Sequence, residues 1–457
     1  MRSNSKKAVA FLLICSFLFI AGCEDNIDDG INDNPHQPDD YNVERTVLTL
    51  GLFGTLLLYE ELVHEVIAFN LENPYYKIEL VNYLEEANGD WEAAELRRSV
   101  DMITGNAPDI IINSSIRDLN PDFMADLYAF IDSDPELNRT DFFPNVLRAY
   151  ESPVGTLPFV GNSFSILTML TMRDTAENII PLTFNSIIRQ VEETDAQHVF
   201  GKSVTRENFL FDSIIYSGNN FIDLDLNRAY LDSEEFINLL EITARLPSSW
   251  DIQEMFSESN RTVDIFLSEY EKLRNGEQLL YSYTMQQPVS FREYLAFFGD
   301  IVAVGIPTNA GGQHAIKTGG ITEVGIYAGS QNQDAAWSFL RRLLMFDSVA
   351  FNFELPLRID KFDALIAEMM NPNIVDGEEQ PIPAQNFPNT FLYTMTEEEA
   401  VQIREIIDTA TLHWSYDHDI MRNIYDVSDA FFIGTRTAED TARIMQNRVQ
   451  TVLNERG

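Results

Sequence analysis

The densest group of ring-bearing and ionisable side chains lies near the carboxyl terminus, at residues 413–419 (HWSYDHD). Its two imidazoles and two carboxylates are potential metal ligands, but the run lacks the helix-spaced or loop-fixed arrangement and the supporting contacts of a tight metal site. Trp414 can instead provide a flat platform for a ligand, or it can pack in the core. We predict no metal site here and retain Trp414 as a candidate ligand-binding residue.

The sequence lacks the short motifs that mark the common catalytic sites. It contains no nucleophile elbow, no phosphate-binding loop, no zinc-binding helix and no paired-histidine motif. The 72 Asp and Glu residues offer so many carboxylate pairs that no single pair is informative. We therefore expect no cofactor and a protein that is not an enzyme.

The first 23 residues have the pattern of an exported lipoprotein leader. Arg2, Lys6 and Lys7 precede an apolar run over residues 8–22, which is too short for a permanent membrane span but typical of a secretory signal. The leader closes on a sequence that resembles the bacterial lipobox, Ile20-Ala21-Gly22-Cys23. This resemblance implies a signal peptide over residues 1–22, lipidation of Cys23 and anchoring at the extracellular face of the cytoplasmic membrane. A cleaved leader with an incidental cysteine is the alternative.

Cysteine usage leaves the mature chain without thiol chemistry. Only Cys15 and Cys23 are present; the first leaves with the leader, and the second would carry the lipid. No disulfide can then form, so the fold must depend on a large apolar core, for which the chain is long enough.

Acidic residues dominate the charge of the chain. The formal net charge is -41, and removal of a leader with three basic and no acidic residues makes it -44. Such a surface repels nucleic acid, so we expect none as a partner and a ligand that is neutral or cationic. The acidic excess begins directly after Cys23, and residues 23–45 are predicted to form a disordered linker because they offer no apolar face. Calcium loops are the alternative there, but their twelve-residue ligand pattern is missing.

The elements that position these residues begin at Thr46. A β-rich run over residues 46–51 is followed by a helical pattern at 57–70, an alternating strand at 76–83, an amphipathic helix at 90–103 and a buried strand at 109–112. This β-α-β-α-β order predicts a parallel sheet covered by helices.

Three segments resemble one protein family in the same order along the chain. They are Gly105-Asn106-Ala107-Pro108-Asp109-Ile110-Ile111, the stretch from Gly305-Ile306-Pro307-Thr308 to Ala335-Ala336-Trp337-Ser338-Phe339-Leu340, and residues 431–455. The chain from residue 46 to residue 456 is similar here to extracellular solute-binding proteins of the maltodextrin-binding kind, which serve ATP-driven (ABC) importers.

The resemblance implies an α/β, periplasmic-binding-protein-like fold with two lobes and a hinge, each lobe a mostly parallel sheet flanked by helices. We place the first lobe at residues 46–157 plus 304–345 and the second at residues 158–303 plus 346–457. Helical spacing of apolar residues marks the second lobe as helix-rich, at residues 184–192, 206–217, 233–243, 263–275 and 397–410.

Candidate polar contacts follow from the carboxyl ends of parallel strands, where such folds bind ligands. The loop after the first strand offers Phe53 and Thr55. The loop after Ile112 offers Asn113, Ser114 and Ser115, whose short side chains can pair with hydroxyl groups or simply cap turns.

Aromatic side chains supply the other candidates, because a flat ring can cover the apolar C–H face of a sugar. Tyr281 and Tyr283 match the family strand that carries a sugar-stacking aromatic, and strand alternation sends both to one face, so that both or neither line the cleft. Trp250 lies in a loop, and Phe159 lies where the chain is expected to cross between lobes. Two tryptophans on helices are expected in the core instead, Trp91 and Trp337.

Three classes of function remain open at this level. The resemblance favours a monomeric, lipid-anchored receptor that captures a carbohydrate, an oligosaccharide in particular, and delivers it to an ABC permease. A surface glycoside hydrolase is the first alternative. A receptor for a peptide or a polyamine is the second, and the acidity of the chain would suit a cationic ligand.

Overall fold

A computed structural model provides the structure. It describes residues 45–54, 60–112, 121–152, 154–194, 198–201, 204–224, 226–251, 262–318, 323–345, 354–413 and 417–456. Six candidates from the sequence analysis lie outside these residues: Cys23, Thr55, Asn113, Ser114, Ser115 and Trp414.

The described strands are β1 (Thr46–Leu52), β2 (Tyr76–Asn82), β3 (Ile110–Ile112), β4 (Ser163–Met172), β5 (Ile222–Asp223), β6 (Arg228–Ala229), β7 (Tyr281–Met285), β8 (Ile301–Ala303), β9 (Ala315–Thr318), β10 (Val324–Ile326), β11 (Leu355–Pro356), β12 (Ile374–Val375), β13 (Glu378–Glu379), β14 (Ile382–Pro383), β15 (Phe391–Leu392) and β16 (Leu412–His413). The described helices are α1 (Glu60–Glu72), α2 (Tyr83–Glu86), α3 (Trp91–Thr104), α4 (Leu127–Ser133), α5 (Pro144–Ala149), α6 (Arg173–Ile179), α7 (Phe184–Glu193), α8 (Arg206–Ile215), α9 (Glu234–Ala244), α10 (Thr262–Arg274), α11 (Pro288–Phe298), α12 (Gln333–Met345), α13 (Ile359–Met369), α14 (Glu397–Asp408), α15 (His418–Phe432) and α16 (Ala438–Arg456).

The first sheet has the strand order β10-β3-β1-β2. β1 runs parallel to both β2 and β3, and β10 closes the sheet antiparallel to β3. Leu48, Leu50 and Leu52 of β1 are buried in one hydrophobic cluster with Leu62, Val66 and Phe69 of α1, so alternate residues of the strand share a buried face. The predicted β-α-β-α-β order and its parallel pairing are confirmed.

α3 begins and ends where the sequence predicts. The Asp90 carboxylate caps its start by accepting a hydrogen bond from the Ala93 N–H at 3.1 Å, and Gly105 ends it in the left-handed region, with φ at 82°. Because β2 precedes α3 and β3 follows it, the first residue of α3 lies at the carboxyl edge of this parallel sheet.

The second sheet is built around the long strand β4. Its path is β11-β4-β9-β16, and β7 and β8 also pair with β4. β4 runs antiparallel to each of these neighbours, and β9 and β16 run parallel to each other. Helices cover both faces, so Phe164 and Ile166 of β4 enter one hydrophobic cluster while Met169 enters another.

The predicted α/β architecture, two sheets each flanked by helices, is confirmed. So are the helices that the sequence assigns to the second lobe, which appear as α7, α8, α9, α10 and α14. A mostly parallel sheet is found only in the first case, because among the described strands of the second sheet β4 runs antiparallel to all four of its neighbours. Three small antiparallel pairs lie apart from the main sheets: β5 with β6, β12 with β13, and β14 with β15.

Residues 304–345, which the sequence assigns to the first lobe, divide between the two sheets. β9 pairs with β4 in the second sheet, whereas β10 pairs with β3 in the first. The return to the first sheet therefore falls between residues 318 and 324. The reason is a local turn: Ile306 and Gln313 exchange backbone hydrogen bonds, and a Cβ at Gly305 would collide with the Gln313 backbone.

The outer edge of β2 is occupied by a side chain. The Asn70 side-chain amide, from α1, donates to the Ile78 carbonyl at 2.9 Å and accepts from the Ile78 N–H at 2.7 Å. It thereby satisfies backbone groups that a neighbouring strand would otherwise pair with.

Along the part of the chain that the structure describes, no helix combines the length and the apolar character that a membrane span requires.

Candidate functional site

A pocket opens between α8 and the face of the second sheet formed by β4 and β7. Its volume is about 160 Å³. Its lining combines apolar side chains with a carboxylate, an amide and two hydroxyls: Leu167, Met169, Val204, Asn208, Phe209, Asp212, Ser213, Ser282, Ile306 and Pro307.

The helical period of α8 brings the polar groups of this pocket together. Thr205 caps the helix by accepting a hydrogen bond from the Asn208 N–H at 3.2 Å. Asn208 and Asp212 are four residues apart, so they occupy one helix face, and both line the pocket together with Ser213.

The strand register supplies the opposite wall. Met169 of β4 lies directly across from Ser282 of β7, so the two side chains share a face of the sheet. Leu167 lies two residues before Met169 and points the same way. The wall is therefore apolar along β4, with a single hydroxyl contributed by β7.

Asp212 is the charged group of the pocket. Burial raises the pKa of its carboxyl from the usual 3.8 to about 6, and the positive charge of Lys317 opposes that rise. The described residues provide no hydrogen bond to this carboxylate. At neutral pH the Asp212 carboxyl is ionised although it is part-buried, which costs free energy. A ligand that donates hydrogen bonds or carries positive charge would lower that cost.

This lining suits a ligand group with both an apolar face and polar substituents. Phe209, Ile306 and Pro307 present hydrocarbon, while the Asp212 carboxylate and the Ser282 hydroxyl can pair with ligand hydroxyls or amines. The volume is below the roughly 300–1,000 Å³ of pockets that enclose a drug-sized molecule, so the pocket fits one ring or one chain end.

The structure places Tyr281 and Tyr283 on the other side of β7 from this pocket. Ser282, between them, faces the pocket, so alternation directs both rings to the opposite face. There the hydroxyls of Tyr270, Tyr281 and Tyr294 form a triangle, with O···O distances of 3.2 to 3.4 Å. Tyr283 is buried beside Tyr294, with a ring-centroid distance of 4.8 Å. We call Tyr270, Tyr281, Tyr283 and Tyr294 the tyrosine cluster.

The remaining candidates lie in separate places. Phe53 is only 3% exposed and lies beneath Trp91, with 5.0 Å between the ring centroids. Phe159 is buried in a small apolar cluster with Met124 and Tyr327. Trp250 is 73% exposed. None of these three lines the α8 pocket.

Within the described ranges, no three His, Cys, Asp or Glu side chains are grouped as a metal ion would require.

Sequence reasoning missed Asp212 and misplaced Trp91. The signal for Asp212 was an acid one helical turn after Asn208, beside the apolar positions Phe209 and Leu210 of α8. The expectation that Trp91 lies in the core is wrong, because it begins α3 at the carboxyl edge of the first sheet and is 53% exposed. The matching expectation for Trp337 is confirmed, since that side chain is buried.

Sequence comparison finds neither a family model nor a curated protein that matches the chain. Comparison with solved structures does find similar folds. The sugar-binding protein MalE of Xanthomonas citri superposes with a TM-score of 0.54 at 14% identity, covering 90% of this chain and 98% of that one.

Two further solved structures are similar over the same share of the chain. An ABC substrate-binding protein from Listeria monocytogenes, in complex with cycloalternan, gives a TM-score of 0.53 at 14% identity, covering 90% of this chain and all of that one. The cyclic alpha-maltosyl-1,6-maltose binding protein of Arthrobacter globiformis gives 0.51 at 12% identity, with coverage of 90% and 100%. Residues 45–456 thus carry the two-lobed α/β fold that these substrate-binding proteins share.

Proposed function

We propose that this protein captures a carbohydrate, an oligosaccharide in particular, between its lobes and delivers it to an ABC importer. The observation that carries the proposal is the α8 pocket, where hydrocarbon and polar groups meet around a carboxylate with no described hydrogen bond. Support also comes from solved structures of similar fold, which belong to proteins named for binding sugars.

The chemistry of a sugar fits such a lining. A pyranose ring exposes C–H groups on its faces and hydroxyls at its rim, so it needs apolar surface and hydrogen-bond acceptors at once. The ionised Asp212 carboxylate can accept several hydrogen bonds. The Asn208 amide and the Ser282 hydroxyl can each donate and accept hydrogen bonds. Hydroxyls paired in this way are not left buried and unsatisfied.

The predicted contacts outside the pocket belong to the same proposal. Asn113, Ser114, Trp250 and Trp414 would contact the ligand where it extends beyond the pocket. Phe53, Phe159, Tyr281 and Tyr283 would support the lobes from within, given their burial. Closure of two lobes about a hinge would then enclose the ligand on both sides.

Attachment through Cys23 completes the proposed mechanism. A lipid at this residue, followed by the acidic segment 24–44, would hold the protein near its permease while leaving the lobes free to move. Tethering raises the effective concentration of the receptor at the transporter without any new contact.

The test is a thermal-unfolding screen of the purified full-length chain with maltotriose, cellotriose and xylotriose. A ligand that binds the folded state raises the melting temperature with the logarithm of its concentration. We expect at least one trisaccharide to do so, and we expect Asp212→Asn to reduce the shift. Asp174→Asn, an exposed acid in α6 of the same lobe, is the matched control and should behave as wild type.

Three results would contradict the proposal. Failure of all three sugars to shift the wild-type melting temperature would remove carbohydrate as the ligand class. If sugar raised the melting temperature of Asp212→Asn as much as that of wild type, the α8 pocket would not be part of the binding site. Release of chromophore from nitrophenyl oligosaccharides would favour the glycoside hydrolase instead.

One observation supports a second candidate, a polyamine receptor. The Asp212 carboxylate lies part-buried in a chain of net charge -41, and an ammonium group would neutralise it. Spermidine in the same screen distinguishes the two: a shift with spermidine and none with sugars would replace the first candidate by the second.

A further inference from the structure

Trp91 is a large aromatic side chain that the core leaves partly uncovered. Its exposed fraction is 53%, although tryptophan is usually among the most buried residues on average. It occupies the first position of α3, directly after the Asp90 cap. That position is at the carboxyl edge of the first sheet, the edge at which parallel α/β sheets bind ligands.

The Trp91 ring rests on a buried support. Phe53, the residue that follows β1, lies 5.0 Å from it between ring centroids, at an interplanar angle of 50°. Behind Phe53, the Arg98 guanidinium lies 5.1 Å from the phenyl centroid. Arg98 is itself buried and bonded to the Glu95 carboxylate at 2.6 Å. One side of the indole is thus held by packed groups, and the ring does not depend on a flexible loop for its position.

The amino edge of the same sheet provides the contrast. Tyr75 precedes β2 and is 65% exposed, so it is as uncovered as Trp91. Its ring contacts Tyr76, with 6.5 Å between centroids, and lies at the end of the sheet where parallel strands begin. Exposure alone therefore does not distinguish Trp91; its place at the carboxyl edge and the packed support behind it do.

We propose that the free face of Trp91 is a stacking platform for a sugar ring, held by the first lobe. This inference rests on the proposed function, because it names a second contact for the same class of ligand. A rigid indole face covers the C–H surface of a pyranose and loses little side-chain entropy on binding. The α8 pocket admits one ring or chain end, so a platform on the other lobe favours a ligand of more than one ring.

The experiment compares three variants of the full-length chain with the trisaccharide that gives the largest wild-type shift among maltotriose, cellotriose and xylotriose. Trp91→Ala removes the platform, Trp91→Phe keeps a smaller ring, and Tyr75→Ala is the matched control at the opposite edge. Binding is measured by calorimetry, and indole emission is recorded as the sugar is added. Because Trp91 is half exposed, neither substitution at this position removes a core side chain.

We expect Trp91→Ala to weaken sugar affinity about tenfold or more, Trp91→Phe to weaken it less, and Tyr75→Ala to leave it unchanged. We also expect a blue shift of wild-type emission on sugar addition that is smaller in Trp91→Phe, since covering the Trp91 ring removes water from it.

Wild-type affinity in Trp91→Ala, together with weakened binding in Asp212→Asn, would overturn the platform and leave the proposed function standing. If no trisaccharide binds the wild type, the proposed function fails and the platform fails with it. Equal loss in Trp91→Ala and Tyr75→Ala would also overturn the platform, because the effect would then not belong to the carboxyl edge.

Discussion

The two faces of β7 carry opposite kinds of polar chemistry. On one face, Ser282 lines the α8 pocket, where Asp212 has no described hydrogen bond. On the other face, Tyr281 joins the tyrosine cluster, where its hydroxyl bonds to those of Tyr270 and Tyr294 within packed rings. One five-residue strand therefore separates a surface with unpaired polar groups from a surface where most polar groups are paired.

The difference separates side chains that stabilise the fold, in the tyrosine cluster, from side chains that remain available to bind a ligand, in the α8 pocket. Packed aromatic groups with paired hydroxyls stabilise the folded state. A part-buried carboxylate that receives no hydrogen bond from the described residues destabilises the folded state until something binds. Substitutions on the tyrosine face should therefore lower stability and leave affinity nearly unchanged, while those on the pocket face should weaken binding without lowering stability.

Tyr294→Ala tests the tyrosine face most strongly. Tyr294 is buried, and its ring lies 4.8 Å from Tyr283 and 4.9 Å from Phe387 between centroids. Truncation leaves a large cavity, so we expect the free energy of unfolding to fall by about 3–5 kcal/mol. Denaturant unfolding measures this, and a loss under 1 kcal/mol would show that the cluster is not tightly packed.

Asp212→Asn should have the opposite sign. A pKa of about 6 in place of 3.8 corresponds to about 3 kcal/mol of unfavourable ionisation. Screening of this part-exposed group reduces that, so we expect the variant to be more stable by about 1–2 kcal/mol at pH 7. A variant that is both more stable and weaker in binding would separate the two faces clearly; a destabilised one would contradict the unpaired state of Asp212.

The pH dependence follows from the same group. The native Asp212 carboxyl keeps its proton up to a pKa of about 6, above the value near 3.8 in the unfolded chain, so protonation favours the folded state. The stability of wild type relative to Asp212→Asn should therefore decrease as the pH rises from about 4 to about 6 and stay level above that range. Paired denaturation curves over this range measure the difference, and parallel curves would contradict the raised pKa.

Two phenol-to-phenyl changes sharpen the comparison within the tyrosine cluster. The Tyr281 hydroxyl bonds to two neighbouring tyrosines, so Tyr281→Phe should cost about 1 kcal/mol. The buried Tyr283 hydroxyl has no hydrogen-bond partner among the described residues, so Tyr283→Phe should be neutral or stabilising by about 1 kcal/mol. Equal effects of the two changes, measured by thermal unfolding, would contradict this assignment of partners.

Ser282→Ala should have the smallest effect on stability, within about 0.5 kcal/mol, because its hydroxyl faces open space. Its effect belongs to binding: loss of one hydrogen bond weakens sugar affinity by about two- to tenfold. Ser290→Ala, on α11, is the matched control and should bind as wild type. If Ser282→Ala binds as tightly as the control, the β7 wall of the pocket does not contact the ligand.

Most of the fold could be predicted from the sequence because the spacing of apolar residues and the residues that begin and end helices are local properties. The apolar spacing of residues 206–217 and 397–410 is enough to identify α8 and α14. Alternation correctly sent Tyr281 and Tyr283 to the same face. Which face that is depends on the pairing of β7 with β4, a long-range property that a spacing pattern does not contain.

The site was less predictable for the same reason. Trp91 and Trp337 both belong to amphipathic helices, yet Trp91 is half exposed, whereas Trp337 is buried and packs against Phe130. In the sequence, Asp212 looks like any acidic residue on a helix. Its place in a pocket depends on Met169 and Ser282, which line the opposite wall. β9 pairs within the second sheet because the chain turns back at Gly305, which is a matter of backbone pairing rather than composition.

The Asn70 side chain at the outer edge of β2 affects how copies of this chain meet at high local concentration. Its amide mimics a peptide group of an additional strand and bonds both to the N–H and to the carbonyl of Ile78. Copies at high local concentration would otherwise meet at this edge and could join their sheets, as amyloid-prone proteins do. Because the Asn70 amide occupies the outer edge of β2, a second copy of the chain cannot readily pair one of its own strands there.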